Sequence, residues 1–195
     1  MLLPRQGHMR IGAATDSDNV KTRREDNIEF LLVDLTQRDL EEYYSGFANR
    51  ALWPLLHYRL DLVDFDRRDI TGYFRVNAFF ARVLASQLRP DDTIWVQDYH
   101  LIPLAAELRA RGVTNKIGFF LHIPFPPPDV FFAMPWHRRL LEAFTAYDLV
   151  GFQIDYDAEN FMSCLAREGL GRETSRGTCR AGDREFRVGA FPIGI

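Results

Sequence analysis

Residues 93–128 constrain the fold more than any other part of the chain, because they form one strand–helix–strand pattern. Residues 93–97 (TIWVQ) are β-branched and aromatic, which is typical of a short strand. Residues 101–111 repeat leucine and alanine at helical intervals and are followed by a glycine, so a helix is predicted there. The apolar run 117–121 predicts a second strand. Two strands joined by a helix run parallel, and their continuous hydrophobicity predicts a sheet covered on both faces.

Polar side chains follow both predicted strands. Asp98 and His100 come after the first strand and His122 after the second. Because the carboxyl ends of parallel strands share one edge of a sheet, these side chains are expected at the edge where open α/β folds bind ligands. A carboxylate and imidazoles at that edge can bind hydroxyl groups or transfer protons near neutral pH. The alternative is structural: Asp98 and His100 cap the helix, and His122 bonds a backbone carbonyl.

Exposed aromatic rings beside polar groups would suit a sugar, which has an apolar face and a hydroxyl edge. The segment 52–59 (LWPLLHYR) follows a predicted helix, and its Pro54 is expected to break that helix beside Trp53. Tyr44 lies within the preceding helix, on its apolar stripe. The alternative for both rings is ordinary packing, Trp53 in the core and Tyr44 at the core edge.

Composition narrows the functional classes. The 195 residues suffice for one sizeable domain, and the net charge of −3 with scattered basic residues argues against nucleic acid. Cys164 and Cys179 have no metal-like or redox-motif spacing, so free thiols of a reducing compartment are expected. With neither an apolar run long enough for a membrane span nor a signal-peptide pattern, the expectation is a soluble cytoplasmic protein.

The two ends of the chain differ from its middle. Residues 1–27 are polar and aperiodic and predict a disordered tail, whereas residues 28–195 predict a single domain. The proline-rich stretch 124–128 after His122 predicts a stiff loop, with a P-x-x-P ligand as the alternative. Residues 178–191 predict a hairpin that turns at residues 181–183.

Five segments together resemble the trehalose-6-phosphate synthases over roughly residues 28–195. They are 52–59 (LWPLLHYR), 95–101 (WVQDYHL), 118–126 (GFFLHIPFP), 148–153 (DLVGFQ) and 191–195 (FPIGI). These enzymes are retaining glycosyltransferases with two Rossmann-like domains facing a cleft, the GT-B arrangement. The resemblance implies an α/β fold here, a Rossmann-like parallel sheet flanked by helices that forms the N-terminal half of such an enzyme.

The resemblance also implies an activity and site residues. It implies transfer of glucose from a nucleotide-glucose, usually UDP-glucose, to glucose 6-phosphate with retention of configuration, without metal or cofactor. The acceptor-binding tyrosine and tryptophan of the family fall on Tyr44 and Trp53, the acceptor-site aspartate on Asp98 and the donor-sugar histidine on His122. Asp98 and His122 are then the expected catalytic residues, and in the family the donor phosphate itself assists deprotonation of the acceptor.

The departures from the family pattern limit what the resemblance implies. Residues 1–27 supply neither the first strand ending in Asn-Arg nor the glycine-rich loop, and no C-terminal donor-binding domain follows residue 195 in this sequence. The chain is therefore expected to be an acceptor half, inactive alone, and its assembly into a homo-oligomer is left open. The alternatives are a glucosylglycerol-phosphate synthase, a pseudo-sugar transferase or a non-catalytic sugar-phosphate-binding module.

Overall fold

The computed structural model describes residues 2–3, 9–13, 20–26 and 28–193, with side chains for 20–26 and 28–193. Gly194 and Ile195, which end the FPIGI segment, lie outside the described residues. Within these ranges ten strands form two sheets. The strands are β1 (Leu2–Leu3), β2 (Met9–Ala13), β3 (Val20–Glu25), β4 (Ile28–Leu35), β5 (Thr93–Gln97), β6 (Lys116–Phe120), β7 (Leu149–Phe152), β8 (Arg172–Ser175), β9 (Thr178–Ala181) and β10 (Arg184–Ala190).

The helices connect the strands of the larger sheet and also precede them. They are α1 (Gln37–Asp39), α2 (Trp53–Leu56), α3 (Arg67–Ala85), α4 (Leu104–Arg109), α5 (Pro128–Phe131), α6 (His137–Phe144) and α7 (Asp155–Arg167). A π-helix, Leu40–Leu52, joins α1 to α2, and short 3-10 helices cover Leu60–Leu62 and Tyr99–Leu101.

The larger sheet has the order β1-β5-β6-β7-β10-β9-β8. Its strands β5, β6, β7 and β10 are parallel, with Trp95 opposite Gly118 and Gly118 opposite Leu149. The predicted strand–helix–strand unit is confirmed, with α4 between β5 and β6. The predicted hairpin is also confirmed, since β9 pairs antiparallel with β10 across Gly182, whose positive φ of 55° suits glycine.

The two faces of the parallel strands are buried to different extents. Right-handed crossovers between strands added in one direction place α4, α6 and α7 on the same face. On that face Ile94, Phe119 and Val150 are fully buried. On the other face Trp95 and Leu149 keep partial exposure, so the expectation of a sheet covered on both faces holds fully only for the helical side.

A charged network fixes the amino-terminal edge of the sheet. The Asp148 carboxylate accepts hydrogen bonds from the Arg109 guanidinium at 2.9 Å and from the Ile117 N–H at 2.8 Å. Arg109 also donates to the carbonyls of Val113 and Asn115, at 2.7 and 2.8 Å. Arg109 of α4 therefore fixes the segment that leads into β6, while Asp148, the residue before β7, holds the N–H of the second residue of β6.

The smaller sheet includes part of the segment for which the sequence predicts a disordered tail. It has the order β2-β4-β3, with β2 parallel and β3 antiparallel to β4. Among residues 1–27 the described ranges 2–3, 9–13 and 20–25 are strands, and Asp26 is a turn residue. Every residue of β3 is exposed, which explains why its composition resembles that of a tail: its order comes from backbone pairing and not from burial.

Pro54 does not end the helix as predicted. The chain is helical from Gln37 through Leu56, and Pro54 lies at the second position of α2. The preceding turn is wide, with the Trp53 N–H bonded to the Ala48 carbonyl. In the first turn of a helix the backbone N–H groups have no intrahelical partner, so a proline, which lacks the N–H, is tolerated there.

A methyl group at Gly118 should destabilise the sheet. A Cβ at this position would lie 2.3 Å from two ring carbons of Trp95, so Gly118→Ala forces the indole to move. We expect a loss of about 1–3 kcal/mol in the free energy of unfolding, measured by urea denaturation.

Gly189→Ala is the matched control. A Cβ there meets only the Phe191 ring, at an ordinary 3.5 Å. Its unfolding free energy should stay within about 0.5 kcal/mol of the parent protein. Equal losses in both variants would contradict the assignment of the clash to Trp95.

Candidate functional site

Asp98 ends β5 in a strained backbone conformation. Its N–H donates to the Phe120 carbonyl at 2.8 Å, which extends the pairing with β6 by one residue. Its φ of 71° and ψ of 166° lie in a region that is costly for any residue with a side chain. One carboxylate oxygen, Oδ1, accepts from the Tyr99 N–H at 3.1 Å and caps the short helix that follows. The capping alternative is thus correct for one oxygen, and Oδ2 has no partner among the described residues.

His122 follows β6 on the neighbouring strand and is exposed. Its Nε2 lies 2.6 Å from the Gln97 Oε1, and its ring meets the Phe120 ring edge-on. The predicted alternative, a bond to a backbone carbonyl, is replaced by a bond to the side chain that precedes Asp98. When the Gln97 oxygen accepts, the proton is on Nε2 and Nδ1 is left as an acceptor.

An open pocket of about 320 Å³ lies beside His122. Most of its lining is apolar. The lining residues are Trp95, Gln97, Phe120, His122, Leu149, Phe191 and Ile193. An apolar concave surface with two polar groups at one end has the character of a small-molecule site. Sequence reasoning missed Gln97, although its place as the last residue of a strand is the same signal that identified its neighbour Asp98.

Tyr44 and Trp53 are both exposed, at 45% and 41%. Burial in the core is therefore wrong for Trp53, whereas the half-exposed Tyr44, whose ring stacks on His100, fits the core-edge alternative. Nine residues span two and a half turns of an α-helix of about 3.6 residues per turn, which would point the two rings in opposite directions. The π-helix between them has wider turns of roughly 4.4 residues, so the same nine residues make close to two turns. Two full turns would place both rings on a common side of the helix.

His100 links Tyr44 to the end of β5. Its ring stacks on Tyr44 with centroids 5.3 Å apart and planes 15° apart, and it lies 4.0 Å from the Tyr99 ring. The Tyr99 hydroxyl donates to the Asn49 Oδ1 at 2.9 Å on the same π-helix. Tyr44 and the Asp98 segment are thus brought together, whereas the ring partner of Trp53 is His57, at 4.1 Å.

The proline-rich loop after His122 is held by α7. Asp157 accepts from the Phe125 N–H at 3.1 Å, and the Asn160 side-chain amide donates to the Phe125 carbonyl at 2.9 Å. Phe125, Pro126 and Pro128 are buried. The prediction of a stiff loop therefore fits, and a buried P-x-x-P segment is not presented as a peptide ligand. Asp157 and Asn160 were missed because they lie on a helix that otherwise follows a plain core pattern.

Burial shifts the pKa values of His100, Tyr99 and Asp157. It lowers the pKa of His100, which the Asp98 charge raises only in part, so the imidazole is neutral near pH 7. Burial first, and the Asp98 charge second, raise the pKa of Tyr99 to about 12. Burial also raises the pKa of Asp157, while the Phe125 N–H lowers it. The neutral His100 ring can stack on Tyr44 without placing a cation in the packed layer.

Metal-binding clusters and membrane-spanning helices are both absent from the described part of the chain. Over residues 20–26 and 28–193 no group of three or more histidine, cysteine, aspartate and glutamate side chains is arranged to hold a metal ion. None of the helices described is long and apolar enough to cross a membrane. Cys164 and Cys179 are both buried and unpaired, as predicted.

The match to a family model covers nearly the whole chain, residues 7–195, and that model is glycosyltransferase family 20. The chain belongs to glycosyltransferase family 20. Its sequence is 58% identical over 169 residues to a trehalose-6-phosphate synthase of Sinorhizobium fredii, covering 87% of this chain and 36% of that protein. The family match begins well before residue 28, which corrects the expectation that the first 27 residues take no part in the resemblance.

Solved structures of family 20 share the fold. The Escherichia coli trehalose-6-phosphate synthase bound with UDP-2-fluoro glucose aligns with a TM-score of 0.92 and 44% identity, over 97% of this chain and 42% of that one. A UDP-forming synthase from Burkholderia xenovorans in complex with glucose-6-phosphate aligns with a TM-score of 0.90 and 44% identity, over 99% and 44%. The predicted Rossmann-like α/β fold is confirmed, and the chain spans less than half the length of these relatives.

His100 should make stability depend on pH. Its pKa is lowered in the folded state, so between that value and the ordinary 6.5 the unfolded chain binds more protons. The free energy of unfolding should therefore fall as pH decreases below about 6.5. His100→Phe keeps a ring at a site whose buried Nε2 has no partner among the described residues, and it cannot titrate. Urea denaturation from pH 7.5 to 5.0 should show a shallower fall for this variant, and an unchanged slope would contradict the assignment.

Proposed function

We propose that this chain is the acceptor-binding part of a trehalose-6-phosphate synthase, which transfers glucose from a nucleotide-glucose, UDP-glucose in the first instance, to glucose 6-phosphate with retention. The observation that carries the proposal is the Asp98 carboxylate, held in a strained conformation beside the Tyr44–His100 stack and one strand away from His122. Membership of glycosyltransferase family 20 supports the reaction class.

The acceptor sugar would use the ring surfaces and the carboxylate together. A pyranose has an apolar face that suits the exposed Tyr44 and Trp53 rings, whereas its hydroxyl edge suits an ionised acceptor. Because Oδ1 accepts from the Tyr99 N–H, Oδ2 of Asp98 is the atom proposed to accept a charge-assisted hydrogen bond from a sugar hydroxyl. That contact fixes the direction from which the acceptor oxygen approaches the donor.

The donor sugar would lie toward His122 and its pocket. His122 is proposed to hydrogen-bond the donor sugar or its leaving phosphate through the nitrogen that Gln97 does not use. We do not assign it as a general base. The apolar lining from Phe120 and Phe191 would exclude water from a transition state with oxocarbenium character. The donor phosphate is proposed to assist removal of the acceptor proton, as the family resemblance implies.

Substitution of Asp98 tests the proposal directly. Asp98→Asn removes the charge and should weaken binding of glucose 6-phosphate about tenfold or more, the cost of a charge-assisted hydrogen bond. Binding is measured by chemical-shift titration of the 195-residue chain. The matched control is Asp129→Asn, an exposed carboxylate on α5 that should leave the affinity unchanged. Equal affinities for the parent chain and Asp98→Asn would refute the assignment.

Substitution of Trp53 distinguishes a sugar-binding role of this ring from a packing role. Because its side chain is 41% exposed, Trp53→Ala should change the melting temperature little while weakening glucose 6-phosphate binding about three- to tenfold. Tyr156→Ala removes another exposed ring, on α7, and serves as the control. A large loss of stability without loss of affinity would restore the packing interpretation of Trp53.

Two assays address the acceptor and the turnover. Glycerol 3-phosphate has no ring face for Tyr44 and Trp53, so it should compete with glucose 6-phosphate only weakly. The 195-residue chain, which covers 36% of its synthase relative, should show no glucose transfer from UDP-glucose. Robust turnover by this polypeptide would overturn that expectation, and tighter binding of glycerol 3-phosphate would favour a glucosylglycerol-phosphate synthase.

Two expectations from the sequence remain predictions, the cytoplasmic location and the absence of nucleic-acid binding. The sequence leaves assembly into a homo-oligomer open. The scattered basic residues and the two unpaired cysteines support the two predictions.

A further inference from the structure

The strained backbone of Asp98 requires something to hold it. A residue with a side chain at φ 71° and ψ 166° returns to an ordinary conformation unless its surroundings oppose that change. On one side the Asp98 N–H is fixed by the Phe120 carbonyl, at 2.8 Å. The residues that follow Asp98 must be held in place as well.

Two buried side chains of α3 hold the residues that follow Asp98. The Tyr73 hydroxyl donates to the Tyr99 carbonyl at 2.5 Å, and the Asn77 amide nitrogen donates to the His100 carbonyl at 3.1 Å. The same Asn77 nitrogen donates to the Tyr73 carbonyl at 2.9 Å, which fixes the amide on its own helix. Both α3 side chains are fully buried, at 0% exposure.

These bonds act on consecutive peptide units. The carbonyl of residue 99 and the carbonyl of residue 100 are each tied to α3, while the N–H of residue 98 is tied to β6. Rotation of Asp98 toward an ordinary conformation would move the following peptides and break the bonds to α3. Each lost bond would leave a buried donor without a partner, which is costly.

We propose that Tyr73 and Asn77 are positioning residues that hold Asp98 in its strained conformation and thereby present its carboxylate at the carboxyl edge of the sheet. The functional part of this inference rests on the proposed role of Asp98 in binding the sugar phosphate. The alternative is that the two side chains are ordinary core hydrogen-bonding groups with no effect on Asp98.

A pair of substitutions at Asp98 measures the strain without any ligand. Asp98→Ala and Asp98→Gly both remove the carboxylate cap, but only glycine adopts the positive φ without strain. In the parent chain the glycine variant should melt about 2–4 °C above the alanine variant. In a Tyr73→Phe background, where Tyr99 is released, that difference should fall by half or more because residue 98 can relax.

Tyr147→Phe is the matched control background. Tyr147 is also fully buried, and its hydroxyl donates to the carbonyls of Leu101 and Ile102, at 2.9 and 3.1 Å, farther along the same segment. Its removal costs a similar buried hydrogen bond, yet the difference between the glycine and alanine variants should persist. An equal difference in all three backgrounds would overturn the proposal.

Ligand binding tests the functional part separately. Tyr73→Phe should weaken glucose 6-phosphate binding to the 195-residue chain about three- to tenfold, whereas Tyr147→Phe should leave it unchanged. If the parent chain binds the ligand through Asp98, equal affinities of the two variants would refute the proposal that Tyr73 positions Asp98 for binding. A parent chain that does not bind glucose 6-phosphate would refute the proposed function and this role in it, while the melting differences alone would still decide whether α3 holds the strained backbone.

Discussion

The hydrogen bond from the Asp98 N–H to the Phe120 carbonyl is the interaction on which the site depends. It continues the parallel pairing of β5 with β6 one residue past the regular strand, so the chain reverses direction only after Asp98 has been fixed beside the neighbouring strand. The same pairing sets Gln97 beside His122. The acceptor and donor sides of the proposed site therefore have a common origin in the register of two strands.

That register is fixed from the opposite edge of the sheet. Asp148 bonds the Ile117 N–H and the Arg109 guanidinium, which ties the start of β6 to the residue before β7 and to α4. A shift of one residue would reverse the faces of every side chain in β6 and carry His122 away from Gln97. The charged network at the amino-terminal edge thus helps to position the site at the carboxyl edge, which lies about the length of a five-residue strand away.

The sequence predicted the features that follow from simple periodicity. Parallel strand ends meet at one edge by geometry, so Asp98 and His122 could be identified from two apolar runs and their polar successors. Tyr73 and Asn77 could not, because helical spacing does not reveal hydrogen-bond partners that lie 26 and 23 residues further along the chain. The β3 strand was also hidden, since a fully exposed strand carries no burial pattern.

The wide turns of Leu40–Leu52 were likewise beyond sequence reasoning, because the apolar stripe along this segment fits ordinary helical spacing just as well. These wide turns determine how a change in the length of this segment would affect the two rings. In a π-helix each turn holds almost one residue more than in an α-helix, so the segment is equivalent to an α-helix carrying inserted residues. Deleting two residues would shorten the spacing of Tyr44 and Trp53 from nine residues to seven, which make close to two turns of an ordinary α-helix of about 3.6 residues per turn, so the two rings would keep nearly the same relative direction. Restoring α-helical turns without a deletion would instead rotate one ring by almost half a turn relative to the other. The relative direction of the two rings therefore depends on the helical pitch as well as on the number of residues between them.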